Sequence, residues 1–396
     1  MSFLSTLGSS TPLSEAVLAE HVWPLFSQVL QRDTREIYLA NHSLGRPLDA
    51  TAEHLAKGSR LWFEQLDGAW MPWWSEMEDW RAATAALTGA ARADCIVPKT
   101  SAGQGLRAVL NSYATVPRVL STDGEFDSID HILKQYEHRG RAVLTTVPSR
   151  ADGCYQVDDL IAKLDSIDLV VVSQVFFSTG QVLQELPKLV EAAHEAGAQV
   201  LIDVYHGYGV LPLDLATLDV DFAIAGSYKY LRGGPGVCWL YVAPEILASG
   251  ATTLDTGWFA KKDPFTYRRP MPPEFAAGGD GWLESTFNPL GFYQARAGLA
   301  LAGELGVARL RAYSLQQKGF LSRLLSERGI THFGADAQYG AFLTIPHAQP
   351  KALAEQLQEA GVNGDARSAG LRLCPDILNT EAQMITAADS LARLLA

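Results

Sequence analysis

Lys229 stands among hydroxyl-bearing neighbours, Ser227-Tyr228-Lys229-Tyr230, just before the glycine-rich run Gly233-Gly234-Pro235-Gly236. Upstream, Val200-Leu201-Ile202-Asp203 reads as a buried strand ending in a carboxylate, and His206 follows. A neutral lysine amine is a nucleophile, and its pKa falls on desolvation or near other cations. An acidic group ending one strand and a lysine after the next is an arrangement that holds pyridoxal phosphate. The lysine makes the Schiff base, and the carboxylate keeps the pyridine nitrogen protonated so that the ring draws electrons.

A sheet must bring these groups together. Pro117–Ser121 and Ala142–Thr146 read as short strands. Leu169–Ser173 and Gln199–Asp203 are continuous apolar strands with polar ends, followed by Asp221–Ala225 and Val237–Val242. Leu183 to Ala196 has helical spacing and stops at Gly197. Strands apolar on both faces and separated by helices predict a mainly parallel sheet covered on both sides. Ligands of such sheets bind beyond the carboxyl ends of the strands, where Ser173 and Asp203 both fall. Ala251 to Asn288 is irregular, and a loop that long serves function or an interface. After Pro289 the chain turns helical; strands at 340–345 and 370–374 and helices at 350–360 and 380–395 then predict a smaller C-terminal α/β domain.

The 396 residues suffice for two domains around a large core. A net charge of −12 argues against nonspecific nucleic-acid binding. It leaves room for an anionic cofactor, since phosphate sites rely on backbone donors and helix ends. One such place is Val97 to Gly105, which opens a helical run with Thr100 and Ser101 at its start. Cys95, Cys154, Cys238 and Cys374 lack CxxC spacing, as expected of reduced cytoplasmic thiols. No metal site is expected. The N-terminus, MSFLSTLGSSTPLSE, has no basic region leading into a long apolar run, so no signal peptide is expected. No apolar run predicts a membrane span.

Several segments recur together in a known order. They are Tyr38-Leu-Ala-Asn-His-Ser-Leu-Gly45, Asp203-Val-Tyr-His206, Asp221-Phe-Ala, Ser227-Tyr-Lys-Tyr-Leu231 with its Gly-Gly-Pro-Gly tail, Gly257-Trp258-Phe259, Asn288-Pro289 and Gly370-Leu-Arg372-Leu-Cys-Pro375. The set resembles the class V aminotransferase group of fold-type I pyridoxal-phosphate enzymes, and within it the kynureninases. The resemblance implies a large cofactor-binding domain at 56–285 and a small domain at 286–396, joined by an N-terminal segment at 1–55. It implies catalytic roles for Lys229 and Tyr228, with the Tyr228 hydroxyl on the phosphate or relaying protons. Asp203 pairs with the pyridinium. His206 lies beside the cofactor, near its phenolic oxygen or in support of Asp203. Thr100 or Ser101 holds the phosphate, Phe126 stacks on the ring and Ser173 contacts the cofactor. Trp258 and Asn288 complete the site of the neighbouring subunit, so a homodimer with shared active sites is implied. Arg372 grips the carboxylate of a small amino-acid substrate, with Asn288 and His42 as further substrate contacts.

Two departures bear on the reaction. The kynureninase stretch that meets the aryl ketone contains a histidine, whereas Gly68 to Trp80 here is aromatic and has none. The family's Arg-x-Ser-Asn-Pro run is Glu284-Ser-Thr-Phe-Asn288-Pro289. The resemblance implies kynureninase-type hydrolysis as the expected reaction, and the departures leave a class V aminotransferase or lyase acting on another amino acid as the alternative.

Overall fold

β-Branched runs with no polar face are stable only where both faces of a sheet are covered. In the computed structural model, which describes residues 4, 7, 8, 10–31 and 36–396, the chain uses its runs in this way. Part of the stretch in which a leader would be sought, residues 1–3, 5, 6 and 9, lies outside the described residues. In chain order the strands are β1 (Ile37–Tyr38), β2 (Ile96–Lys99), β3 (Arg118–Thr122), β4 (Val143–Val147), β5 (Leu169–Ser173), β6 (Gln199–Asp203), β7 (Phe222–Gly226) and β8 (Cys238–Val242). Then come β9 (Leu343–Ile345), β10 (Val362–Asn363), β11 (Asp365–Arg367) and β12 (Gly370–Leu373). The helices that matter below are α1 (Glu15–His21), α2 (Ala50–Gln65), α3 (Trp70–Thr88), α4 (Ala102–Leu110), α5 (Asp127–His138) and α6 (Leu186–Glu195). They continue with α7 (Pro289–Leu305), α8 (Val307–Glu327), α9 (Pro350–Glu359) and α10 (Glu381–Leu395).

Seven strands form one sheet in the order β2-β8-β7-β6-β5-β3-β4. β8 runs antiparallel to both neighbours, and the other pairs are parallel. Separate apolar clusters pack around it: one joins Val170, Val172, Val200 and Ile202 to α6, the other joins Val171, Leu201 and Ile224 to α4 and α5. Alternate residues of one strand thus serve opposite layers, as period-2 side chains must. The strand order reverses between β5 and β3, which opens a crevice at their carboxyl ends. α6 starts three residues later than its periodicity suggests. Pro187 occupies its first turn, where a missing N–H costs nothing, and Glu185 before it is left-handed at φ +56.

β11, β12 and β9 form a three-stranded antiparallel sheet whose apolar residues pack on α8, α9 and α10. β1 pairs in parallel with β10, so the N-terminal segment joins this layer. Leu18, Val22 and Phe26 pack on Leu301, Tyr313 and Ile377. The 251–288 segment folds as short 3-10 turns around buried Phe259 and Trp282. No described helix is long and apolar enough to cross a membrane.

Candidate active site

Ser173 and Asp203 end adjacent strands in register and are both buried. Lys229 follows β7 in a tight turn set by its neighbours. Tyr228 O accepts from Gly45 N–H at 2.8 Å. A Cβ at Gly45 would stand 1.9 Å from Lys229 O, so only glycine lets the N-terminal segment approach so closely. The glycine run is fastened by α7, whose Gln294 Nε2 donates to Gly233 O at 2.7 Å and Pro235 O at 3.2 Å. Three residues past the lysine, Arg232 forms a two-pronged pair with Asp376, at 2.8 and 2.5 Å.

The Lys229 side chain is 6% exposed, and its Nζ lies 2.5 Å from His206 Nε2. The rings of Tyr205, Phe126 and Tyr228 surround it at 4.9, 5.7 and 5.9 Å. Burial moves both ionisable partners toward their neutral forms while their mutual attraction opposes this. Lys229 falls to about 7 and Asp203 rises to about 6. Burial, then the Lys229 charge, holds His206 well below the ordinary imidazole value. Asp203 Oδ1 accepts from Tyr205 N–H at 2.8 Å.

A cavity of about 370 Å³ opens beside the lysine. Thr100, Ser101, Phe126, Ser173, Asp203, His206, Tyr228 and Lys229 all line it. Ala102 and Gly103, the first residues of α4, also face it, so the cavity receives a helix N-terminus, which favours an anion. Ser101 caps that helix by accepting from Gln104 N–H at 3.1 Å, and the Thr100 hydroxyl donates to Gln104 Oε1 at 3.0 Å. This donor set fits pyridoxal phosphate: an amine near neutrality, a buried carboxyl at a strand end, an aromatic wall and an anion-favouring helix start.

The other expected residues lie elsewhere. Arg372 is 2% exposed and sits over the Phe342 ring at 5.1 Å. Its Nε donates to Asp365 Oδ1 at 2.7 Å, its Nη2 to Asp365 Oδ2 at 2.5 Å, and its Nη1 to Phe177 O. Three of the five guanidinium N–H groups are so used, which leaves one on each terminal nitrogen. His42, expected at the substrate, is 1% exposed and does not line the cavity. Burial, then the Arg372 charge, lowers it to about 4, so the neutral ring donates from Nε2 to Asp365 Oδ1 at 2.7 Å. Its Nδ1 is sealed without a partner. His42 therefore acts on Arg372 through Asp365. Asn288 caps α7 and lines an adjoining cavity of about 270 Å³ that shares Thr100 and Gly236 with the first. Trp258 stacks on Phe259 with centroids 4.0 Å apart and lines neither cavity. In α3, Trp73 and Trp80 are core residues, and Trp74 packs on Phe259 and Phe287.

Sequence reading passed over three residues. Glu125 is buried under Ser173, and Tyr205 lines the cavity. Asp365 is pushed up by burial, yet hydrogen bonds from His42 and Arg372 hold it well below the carboxylate range. Asp365 faces Arg372 across the β11–β12 hairpin, and the short spacing of the two was the signal available.

The aminotransferase class-V profile matches residues 70–377. A kynureninase of Geobacillus thermodenitrificans is 31% identical over 249 residues, 60% of this chain and 57% of that one. Kynureninases of Shouchella clausii and Myxococcus xanthus are 27% and 29% identical over 87% and 86% of the chain, and 84% of each relative is covered. Among solved structures, the cystine C–S lyase C-DES in complex with cysteine persulfide superposes with a TM-score of 0.80 at 21% identity, over 92% of this chain and 98% of that one. The cysteine desulfurase CsdA of Escherichia coli gives 0.81 at 18% identity, over 97% and 99%.

Proposed function

Because the chain belongs to the aminotransferase class-V family, a pyridoxal-phosphate-dependent family, we propose that it hydrolyses kynurenine or a related β-acyl-alanine to alanine and an aryl acid. The observation that carries this reading is the convergence of Lys229, Asp203, Phe126 and the start of α4 on one cavity. The likeness to kynureninases over most of the chain supports the choice of reaction.

Bound, the cofactor supplies a conjugated ring that stores the electron pair left when a bond to the substrate Cα breaks. Lys229 would hold it covalently, Asp203 would keep the proton on its ring nitrogen, and Phe126 would face the ring. Thr100, Ser101 and the α4 N-terminus would hold its phosphate, with Tyr228 beside them. Near neutral pH Lys229 has a free lone pair, so it can take the substrate Cα proton and return it. Arg372 does not line the cavity but is near enough for its charge to act on Lys229, and its two unused N–H groups would be the donors for the substrate carboxylate. A water adds to the γ-carbonyl, the Cβ–Cγ bond breaks, Cγ leaves as the aryl acid, and Cβ gains a proton to give alanine.

One observation favours a second reading, a class-V aminotransferase or lyase on another amino acid. The α3 tryptophans pack into the core, and the residues that would meet an aryl ketone are those least like kynureninase. Cysteine desulfuration fits poorly: Cys374 is 1% exposed, and burial pushes its thiol far up. We also infer a cytoplasmic homodimer in which Trp258 and Asn288 complete the partner's site. Their position outside the lysine cavity of their own chain supports this.

Purified protein incubated with pyridoxal phosphate should turn yellow and release fluorescent anthranilate from kynurenine. A protein that stays colourless ends the cofactor reading. A yellow protein that forms a keto acid from another amino acid, and no anthranilate, selects the second reading.

A further inference from the structure

The proposed chemistry gives no task to Glu125, which follows β3 at the crevice where the strand order reverses and is 3% exposed. Its Oε1 accepts from the Thr122 hydroxyl at 2.7 Å and from Ser173 N–H at 3.2 Å. Its Oε2 lies 2.5 Å from Ser173 Oγ. A backbone N–H only donates, so Oε1 must remain an acceptor. Oε1 already accepts two hydrogen bonds and is best left as the carbonyl oxygen, so the proton of a neutral Glu125 goes to Oε2 and the bond to Ser173 is the one that reverses.

Each direction has a consequence in the cavity, which Ser173 lines. An ionised Glu125 can only accept, so the single Ser173 proton points at it and Ser173 shows the cavity lone pairs alone. A Glu125 protonated on Oε2 donates to Ser173, whose own proton is then released toward the cavity. We propose that Glu125 is a positioning residue that reverses the Ser173 hydrogen bond, making Ser173 a donor to the bound cofactor when protonated and an acceptor when ionised. The inference rests on the cofactor reading only for what occupies the cavity.

The surroundings suit a carboxyl that changes state near neutrality. Burial pushes Glu125 up to about 7, and the hydrogen bonds from Ser173 and Thr122 oppose it. The charged and titratable groups around it are Asp203 at the end of β6, which opposes ionisation, and Tyr155, whose hydroxyl donates to Asp123 Oδ1 at 2.5 Å. Lys229 lies beyond Asp203 and attracts its charge.

The test follows the holoenzyme by infrared and visible absorption across roughly pH 5 to 9, a range that brackets a carboxyl raised by burial. A protonated-carboxyl C=O band should disappear as pH rises in the wild type and be missing in Glu125→Gln. The amide introduced by Glu125→Gln can only donate to Ser173, so the Ser173-dependent part of the visible spectrum should stay in its acid form at every pH in that variant. Ser173→Ala should keep the infrared titration and lose the part of the visible pH dependence that Glu125→Gln removes. Asp203, raised to about 6, titrates in the same range, so the Glu125 band is read from the difference between wild type and Glu125→Gln; a difference with no titrating carboxyl, or a Glu125-dependent visible change that persists in Ser173→Ala, overturns the proposal. The infrared band needs no chromophore, so a colourless protein that still shows it would end the cofactor reading while keeping the Glu125–Ser173 switch, whereas a yellow protein without it would overturn the switch alone.

Discussion

The amine of Lys229 and the Nε2 of His206 lie 2.5 Å apart, both buried at the wall of the cavity. His206 is kept neutral by burial and by the lysine charge, so while Lys229 is an ammonium the tautomer that pairs with it is the one with its lone pair on Nε2. In that tautomer its Nδ1–H faces the Tyr230 hydroxyl at 3.4 Å.

Cofactor capture should follow the neutral amine. Burial lowers Lys229 from 10.5 to about 7, so the nucleophilic form dominates above that pH and is lost below it. Stopped-flow absorbance of apoprotein mixed with pyridoxal phosphate should show a plateau above about pH 7 and a fall of about tenfold per pH unit below. A midpoint near that of a solvated lysine would sink this account. Lys229→Ala should bind no chromophore covalently.

Asp203→Asn keeps the shape of the strand end and removes its charge. Activity should fall by about 10²–10³-fold, the scale of losing one preorganised electrostatic partner. Cofactor content, read by absorbance, should change far less. Full activity in the variant would take Asp203 out of the mechanism.

Asp365→Asn should act in two ways. Arg372 is buried and loses its charge partner, which costs about 3–5 kcal/mol in thermal or urea unfolding. The guanidinium also loses its brace, so KM for the amino acid should rise at least about tenfold, beyond the change in kcat. Unchanged stability would mean that the cross-hairpin pair is not formed in solution.

The parts legible in the sequence are those that local pattern determines. β5 and β6 are legible to the residue because unbroken β-branched runs stop at Ser173 and Asp203. Lys229 is legible because a glycine run follows it, in which Gly233 and Gly234 stand where a Cβ would meet Ser227, Ala295 or Gln294. Partners brought together by folding are not. Nothing near Arg372 announces that Asp365 and Phe177 take three of its donors, and nothing near His42 says that its ring turns from the cavity. The Trp70–Trp80 run has the composition of either a pocket or a core. Only the placement of α3 against Phe259 and Phe287 decides for the core.

Gly45→Ala should disturb the lysine from a distance in sequence. The added methyl would meet Lys229 O at 1.9 Å, and overpacking of this kind costs about 1–3 kcal/mol. The affinity for pyridoxal phosphate should drop with stability, measured by absorbance titration and thermal melting. A variant with native affinity would show that the 40–45 segment does not set the lysine.

Arg232 stands three residues after the lysine, and Asp376 four residues after Arg372, and the two are locked together. On the proposed roles, the group that would work at Cα and the group that would be offered to the carboxylate sit on two segments tied together by this ion pair, like the two jaws of a caliper. Every α-amino acid presents the same span between those atoms, whatever its side chain. A gauge of this kind can stay untouched while the walls beyond it change, so descendants of this scaffold can exchange one amino acid for another without rebuilding the grip on the part all amino acids share.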